Sequence, residues 1–254
     1  MGEAATGRKL LQITGTDRLK FLQNLVTNEM ARLDDRLVYA ALLTPQGKYL
    51  ADFLVTEQDG AVLIDVAQGL APDLLRRLSM YKLRADVEIG ESPLHIQRGL
   101  DDAPDSRPAG ALPDPRHPAL GWRAYTTQPG SAEATDWDAI RVAHLIPETC
   151  IELIPNETYI LEAGFERLNG VDFRKGCYVG QEVTARMKHK TELKKGLVPV
   201  AVQGTAPPGT PVMAGEKEAG VLYTQSGGRG IAWLRFDRAG GEMQAGDAVL
   251  RRVS

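Results

Sequence analysis

The chain is poor in cysteine, lacks any long apolar run and has little net charge, and each absence removes a class of function. Two cysteines in 254 residues, Cys150 and Cys177, are too few for a disulfide framework and lack the CxxC spacing of a zinc site. Nor can one such chain supply the four thiolates of a typical iron–sulfur cluster, so no metal site is expected. No apolar stretch approaches the roughly 20 residues of a membrane span. The opening MGEAATGRKLLQ also lacks the apolar core of a signal peptide. The expectation is a cytoplasmic protein with no membrane contact. Thirty Lys+Arg against 33 Asp+Glu leave a net charge of −3, which argues against broad nucleic-acid binding, and no direct nucleic-acid partner is expected. Nucleotide fingerprints are missing too: Gly227-Gly228-x-Gly230 lacks the strand–helix context and final glycine of a dinucleotide site.

What is present is ordinary globular material, 43% hydrophobic and 25% charged. Residues 10–14 form an apolar strand, and Thr16 or Asp17 can cap a helix whose face is Leu19, Leu22, Leu25 and Val26. Residues 37–44 are apolar on both faces, as in a central, doubly covered strand. Strands at 48–56 and 61–66 complete a meander through Pro45-Gln46-Gly47 and Gln58-Asp59-Gly60. A helix over 72–83 turns Leu74, Leu75, Leu78 and Tyr81 inward, and residues 85–89 read as another strand. Residues 101–120, with five prolines and four aspartates, read as a loop or linker. A strand at 120–126 and a helix at 136–146, with Trp137, Ile140 and His144 on one side, follow. From 193 onward, short strands at 196–202, 210–213, 219–223, 230–234 and 248–251 between Gly/Pro turns predict a small antiparallel barrel. The whole is an α+β chain, expected as an N-terminal lobe 1–100, a second lobe 101–192 and a barrel 193–254.

Charge is unevenly placed. Between residues 174 and 195 seven Lys/Arg face two Glu, a local +5, which leaves −8 for the remainder. Such a concentration points to an anionic ligand or partner, or else to a solvated helix with cationic tips. Within it, Gly176 and Gly180 bracket Cys-Tyr-Val, and a helix beginning near Gln181 would point free N–H groups toward Cys177. On that helix Glu182, Arg186 and His189 share a polar face. Beside Arg174, Lys175 and a helix N-terminus Cys177 would be a stabilised thiolate; packed in a tight turn it would be inert, and both readings stand.

The string Lys175-Gly176-Cys177-Tyr178-x-Gly180-Gln181-Glu182, followed by Ala185-Arg186, resembles the signature of the YgfZ family of folate-binding proteins, relatives of the glycine-cleavage T-protein. Supporting segments are Leu22-Gln23-x-Leu25-Val26-Thr27-Asn28, Thr44-Pro45-Gln46-Gly47-Lys48 and Glu162-Ala163-Gly164-Phe165. The wording TPQGKYLADFLV is most similar to the subgroup that includes the mitochondrial iron–sulfur assembly factor.

The resemblance implies a T-protein-like fold, with ferredoxin-like α+β lobes around a central folate channel and a C-terminal β-barrel. It implies tetrahydrofolate, or a polyglutamylated folate, as cofactor. The implied role is assembly or repair of iron–sulfur proteins, those that thiolate tRNA among them, with assembly proteins or cluster-containing clients as partners. Cys177 is the residue the family is known by. Asp52 falls where T-protein relatives carry a functional aspartate, and strand alternation places it with Leu50 and Leu54. Trp137 looks like a folate-contacting tryptophan or a core residue. Lys175, Gly176, Tyr178, Gly180, Gln181, Glu182 and Arg186 complete the expected cofactor site, with Arg186, Lys188 and Lys190 as candidates for the glutamate tail.

The T-protein's Arg-Thr-Gly-Tyr-Thr-Gly-Glu stretch has no counterpart; the middle of the chain reads DPRHPALGWRAYT instead. Three readings follow. The first is a folate-binding iron–sulfur assembly protein acting through Cys177. The second is a tetrahydrofolate-dependent aminomethyl or one-carbon transferase using Asp52, and the third a protein- or RNA-interaction module using the basic segment.

Overall fold

The computed structural model describes residues 2–31, 33, 36–101, 107–190 and 192–253. The chain separates into two compact units, Met1–Thr135 with Glu166–Gln181, and Asp136–Phe165 with Glu182–Ser254. Segment 101–192, expected as one lobe, is thus divided between both.

The first unit holds β1 (Glu3–Ala4), β2 (Arg8–Thr14), α1 (Arg18–Gln23), β3 (Val38–Leu43), β4 (Tyr49–Gln58), β5 (Ala61–Ala67), α2 (Ala71–Tyr81), β6 (Glu88–Glu91), β7 (His95–Gly99), β8 (Leu112–Pro113) and β9 (Trp122–Thr126). Its larger sheet runs β3-β4-β5-β2-β6, antiparallel throughout, and its smaller one β1-β7-β9-β8. Every residue of β3 is buried, as its two-sided apolar sequence demands. One sheet face, with Ile13, Ala40, Phe53 and Val66, packs under Leu22 of α1 and Leu74 and Leu78 of α2. Each of these side chains larger than alanine contributes about 1.5–3 kcal/mol by leaving water.

Differences from the sequence reading have local causes. Helix α1 stops at Gln23, so Leu25 and Val26 are buried beyond its end, Val26 bridging to Leu42. Asp17 sits at the N-cap position, but its carboxylate accepts the Asp86 N–H at 2.9 Å rather than capping the helix. Tyr81, expected inward, is 41% exposed. The 101–120 segment is more than a linker: it supplies β8, a 3₁₀ turn at Pro118–Leu120, and the buried Asp114 and Arg116. Pro104 and the aspartates at 102 and 105 lie outside the described residues.

The second unit contains α3 (Trp137–His144), all but the first residue of α4 (Gln181–Lys190), and six strands: β10 (Lys195–Gln203), β11 (Thr210–Ala214), β12 (Lys217–Ser226), β13 (Arg229–Arg235), β14 (Glu242–Ala245) and β15 (Ala248–Arg252). These close into a barrel in the order β10-β13-β12-β11-β14-β15. Closure leaves no unpaired edge, and inward Val200, Leu222, Leu234 and Leu250 fill the interior. Asp136 caps α3 by accepting the Ala139 N–H at 2.9 Å, and Leu145 ends it in the left-handed conformation. The buried stripe of α3 is Trp137, Arg141 and Val142, whereas His144 is exposed. Arg141 is buried because Glu152 and Thr224 meet its guanidinium at 3.2 and 3.1 Å. No helix among the described residues is long and apolar enough to cross a membrane.

Candidate functional site

Segments quoted separately from the sequence meet in the first unit. Thr27 donates its hydroxyl to the Gly170 carbonyl at 2.7 Å and accepts Asp172's N–H at its own carbonyl, 3.1 Å away. Asn28 donates its amide to Tyr39 O at 2.9 Å and Asn169 O at 2.7 Å. The run ending Thr27-Asn28 is therefore the seat on which residues 169–172 lie.

Lys175 completes the attachment. Its ammonium is buried and donates to the carbonyls of Gln23, Val26 and Asn28 at 2.7, 2.6 and 2.8 Å. Gln23 ends α1, where unpaired carbonyls and the helix dipole favour a cation. All three ammonium protons are used, so this lysine acts as a clamp on the main chain and has no N–H left for a ligand. Burial pushes its pKa down to about 8, against the upward pull of Glu29 and Asp172. The ring of Tyr178 lies 5.3 Å from the ammonium.

Five residues on, Gly180 locks the other end. Its φ of +83° is left-handed, and a Cβ there would stand 2.6 Å from the Thr44 carbonyl oxygen and 3.1 Å from Gly47 Cα. The motif thus rests on the Pro45-Gln46-Gly47 turn with only a glycine's clearance. Gly176 differs: its backbone is not left-handed, and a Cβ there would meet no atom within 4 Å. Tyr178 is buried and Val179 packs on the core cluster, while Gly176 and Cys177 are exposed between the two anchors. Both cysteines are free thiols. Cys177 is displayed on a pinned loop, not packed away in a turn.

Asp52 is 2% exposed. Its two carboxylate oxygens accept the hydroxyls of Tyr49 at 2.6 Å and Tyr39 at 3.0 Å. Burial, and then the Asp52 charge, push the Tyr39 pKa well above its usual value, so the phenol remains a donor. Asp52 shares its sheet face with Leu54 as expected, but Leu50 joins the opposite, helix-side cluster. A bulge at Leu42/Leu43 breaks the alternation there and brings Tyr49 to the carboxylate.

Behind Tyr39 lies a buried ion network. Arg116 stacks 5.5 Å from the Tyr39 ring centre and grips Asp114 with Nε at 3.0 Å and Nη2 at 2.8 Å. Arg123 joins Asp114 at 3.3 Å to Asp65 at 2.8 Å, and Arg8 holds Asp65 at 2.6 Å. Burial raises the Asp114 carboxyl, but Arg116 and Arg123 outweigh it and bring the pKa to about 2.

In front of Tyr39 opens a cavity of about 560 Å³ whose walls include Asn28, Arg36, Tyr39, Asn169, Asp172 and Arg174. Asp52 is not among its walls and stands behind Tyr39. Sequence reasoning missed Tyr39, Tyr49, Arg36 and Arg116. Alternation along β3 and β4 could have placed Tyr39 with Asp52, whereas nothing local marks Arg116.

The other expected residues belong to α4 or to the second unit. Gln181 opens α4, its N–H on Tyr178 O at 3.2 Å. Glu182 and Arg186 form an exposed ion pair at 2.7 Å along that helix, beside exposed Lys188 and His189. The Lys190 side chain lies outside the described residues. Trp137 is buried at the start of α3.

Residues 194–253 match the family model described as CAF17, C-terminal beta-barrel domain. The glycine cleavage system aminomethyltransferase T from Bartonella henselae superposes with a TM-score of 0.70 over 98% of this chain and 83% of that one, at 13% identity. That likeness establishes the T-protein-like fold. Among curated proteins, the mitochondrial iron-sulfur cluster assembly factor IBA57 of Mus musculus is 32% identical, with 93% of this chain and 78% of the relative aligned. The human protein of that name is 29% identical over the same shares, and the homolog from Mycosarcoma maydis 30%. Only 57% of the Mycosarcoma maydis protein is spanned. These relatives are named mitochondrial, which overturns the cytoplasmic expectation; composition and hydropathy carry no compartment address. At that identity and coverage, the chain belongs to the IBA57 family of iron–sulfur cluster assembly factors.

Proposed function

We propose that this protein serves iron–sulfur cluster assembly through Cys177 while holding a tetrahydrofolate in the cavity in front of Tyr39. The observation that carries the reading is the display of Cys177. Its loop is anchored by Lys175 on one side and Gly180 on the other, so the thiol is exposed on a fixed backbone that a client can approach. Gly176 beside it adds no side chain to obstruct that approach.

The cavity suits a folate in size and chemistry. Its 560 Å³ is within the usual range for small-molecule sites, about 300–1,000 Å³. Among the residues lining it, Asn169 and Asp172 offer polar groups for a pterin edge, and Arg36 and Arg174 offer cations for glutamate carboxylates. Bound there, the folate would supply a one-carbon carrier or a sensor of folate status. Asp52 supports the wall by holding Tyr39 and Tyr49, an arrangement better suited to shaping the site than to passing a proton to a folate amine. The transferase reading is therefore not preferred.

Calorimetric titration with tetrahydrofolate tests the cavity. Binding should weaken at least tenfold in Arg174→Ala, whose side chain is 94% exposed and makes a 3.6 Å contact with Asp172. Absence of binding by the unaltered protein would remove folate from the reading. In cells lacking the endogenous protein, Cys177→Ala should fold normally yet leave cluster enzymes inactive. Full enzyme activity in those cells would remove Cys177.

A further inference from the structure

Most of the polar side chains around the cavity in front of Tyr39 are already engaged within the fold. Asn28 donates its amide to Tyr39 O and Asn169 O, and its Oδ1 accepts the Glu29 N–H at 2.9 Å. Glu29 accepts Gln23 Nε2 at 3.0 Å on one carboxylate oxygen and the Ala31 N–H at 2.9 Å on the other. Asn169 and Asp172 differ, because each lines the cavity with an acceptor left over.

Asn169 donates Nδ2 to the Pro115 carbonyl at 2.8 Å, and its Oδ1 accepts no hydrogen bond among the described residues. An amide beside a carbonyl must turn its nitrogen to it, so the oxygen is fixed on the other side. The backbone is fixed too: Asn169 has a φ of +55°, which asparagine tolerates, and its carbonyl takes the Asn28 amide at 2.7 Å. Asp172 accepts the Arg174 N–H on Oδ1 at 2.8 Å, with Arg174 Nε at 3.6 Å from the same oxygen. Its Oδ2 accepts no hydrogen bond among the described residues. The Lys175 ammonium feels the Asp172 charge but spends its three protons on main-chain carbonyls, so it does not occupy that oxygen.

We propose that Asn169 and Asp172 determine the specificity of this cavity by accepting the N3–H and 2-amino donors of a 2-amino-4-oxopteridine. The assignment rests on the folate reading above and adds to it which edge is recognised and by which residues. Two acceptors with no partner in the fold call for a ligand with adjacent donors, and this edge of a pterin supplies them. The carboxylate charge of Asp172 strengthens its share of the pairing. Arg36 and Arg174 on the same cavity suit the anionic end of such a ligand.

Calorimetry with tetrahydrofolate and with its 2-desamino-2-methyl analogue tests this. The unaltered protein should prefer tetrahydrofolate at least about tenfold, the worth of one lost hydrogen bond. Asn169→Gly keeps the left-handed backbone but removes the amide, so it should bind tetrahydrofolate more weakly and lose that preference. Asp172→Asn sets a donor against a donor and should weaken tetrahydrofolate binding at least about tenfold. An Asn169→Gly protein that loses affinity for both compounds equally has lost only a structural tie, which overturns the assignment. Equal affinity of the unaltered protein for the two compounds, or unchanged tetrahydrofolate affinity in Asp172→Asn, overturns it as well while leaving folate in place. Binding of neither compound by the unaltered protein removes the folate reading and this assignment together.

Discussion

Two glycines four residues apart in one motif should respond oppositely to the same substitution. In Gly180→Ala the new methyl would stand 2.6 Å from the Thr44 carbonyl oxygen, against an ordinary carbon–oxygen separation of about 3.3 Å. Neither side yields easily, because the Thr44 carbonyl accepts the Gly47 N–H at 2.8 Å in the turn. Overpacking of this kind costs about 1–3 kcal/mol. Holding alanine at φ +83° adds about 1–2 kcal/mol, for a total of roughly 2–5 kcal/mol. For a unit of this size each kcal/mol moves the midpoint by about 2–4 °C, so the transition of the first unit should fall by roughly 5–15 °C. Gly176→Ala has an ordinary φ and open space, so its stability should stay within about 0.5 kcal/mol of the parent. Urea and thermal unfolding of both variants, followed by near-ultraviolet circular dichroism, make the comparison. Equal effects at the two positions, or a Gly180→Ala loss below about 0.5 kcal/mol, would refute the anchoring argument.

Two predictions concern buried charge. The Asp114 carboxyl is held at about 2 in the fold against an ordinary 3.8, so its stabilisation is complete above pH 4 and is lost as the pH falls toward 2. Its size is about 2.5 kcal/mol, at roughly 1.4 kcal/mol per unit. Asp114→Asn should be destabilised by about 3–5 kcal/mol at pH 7, since Arg116 and Arg123 lose their charged partner, and should unfold with less acid sensitivity between pH 4 and 2. Lys175→Met removes three hydrogen bonds to main-chain carbonyls and should cost about 3 kcal/mol at pH 7, while Lys175→Arg should restore part of it. Burial lowers the Lys175 pKa to about 8, so between pH 8 and 10.5 the unfolded chain holds a proton that the folded one has released. The parent should therefore gain stability relative to Lys175→Met across that window, read by urea unfolding at stepped pH. A flat difference would contradict the burial of a charged ammonium.

Much of the fold was legible because its signals are local. Two-sided apolarity marked β3, turn residues marked the β3-β4-β5 meander, and Gly/Pro spacing marked the barrel strands except β14, whose Glu242-Met-Gln-Ala carries too few apolar residues to register. The apolar period carries the α2 prediction two residues past its end because Leu83 continues it, and a period says nothing about a left-handed backbone. The site was legible only as fragments.

By itself, then, the sequence determined the meander, the main helices and most barrel strands, which string carries Cys177, and that two glycines flank it. These depend on propensity, periodicity and turn chemistry within a few residues. Only the tertiary structure decided that Lys175 reaches carbonyls about 150 positions earlier, that Gly180 has no room for a side chain where Gly176 has, and that Asp52 accepts the hydroxyls of two tyrosines. Those outcomes depend on which surfaces meet across long loops. A buried ammonium or carboxylate must find partners wherever the packed chain presents them, and local sequence carries no record of that meeting.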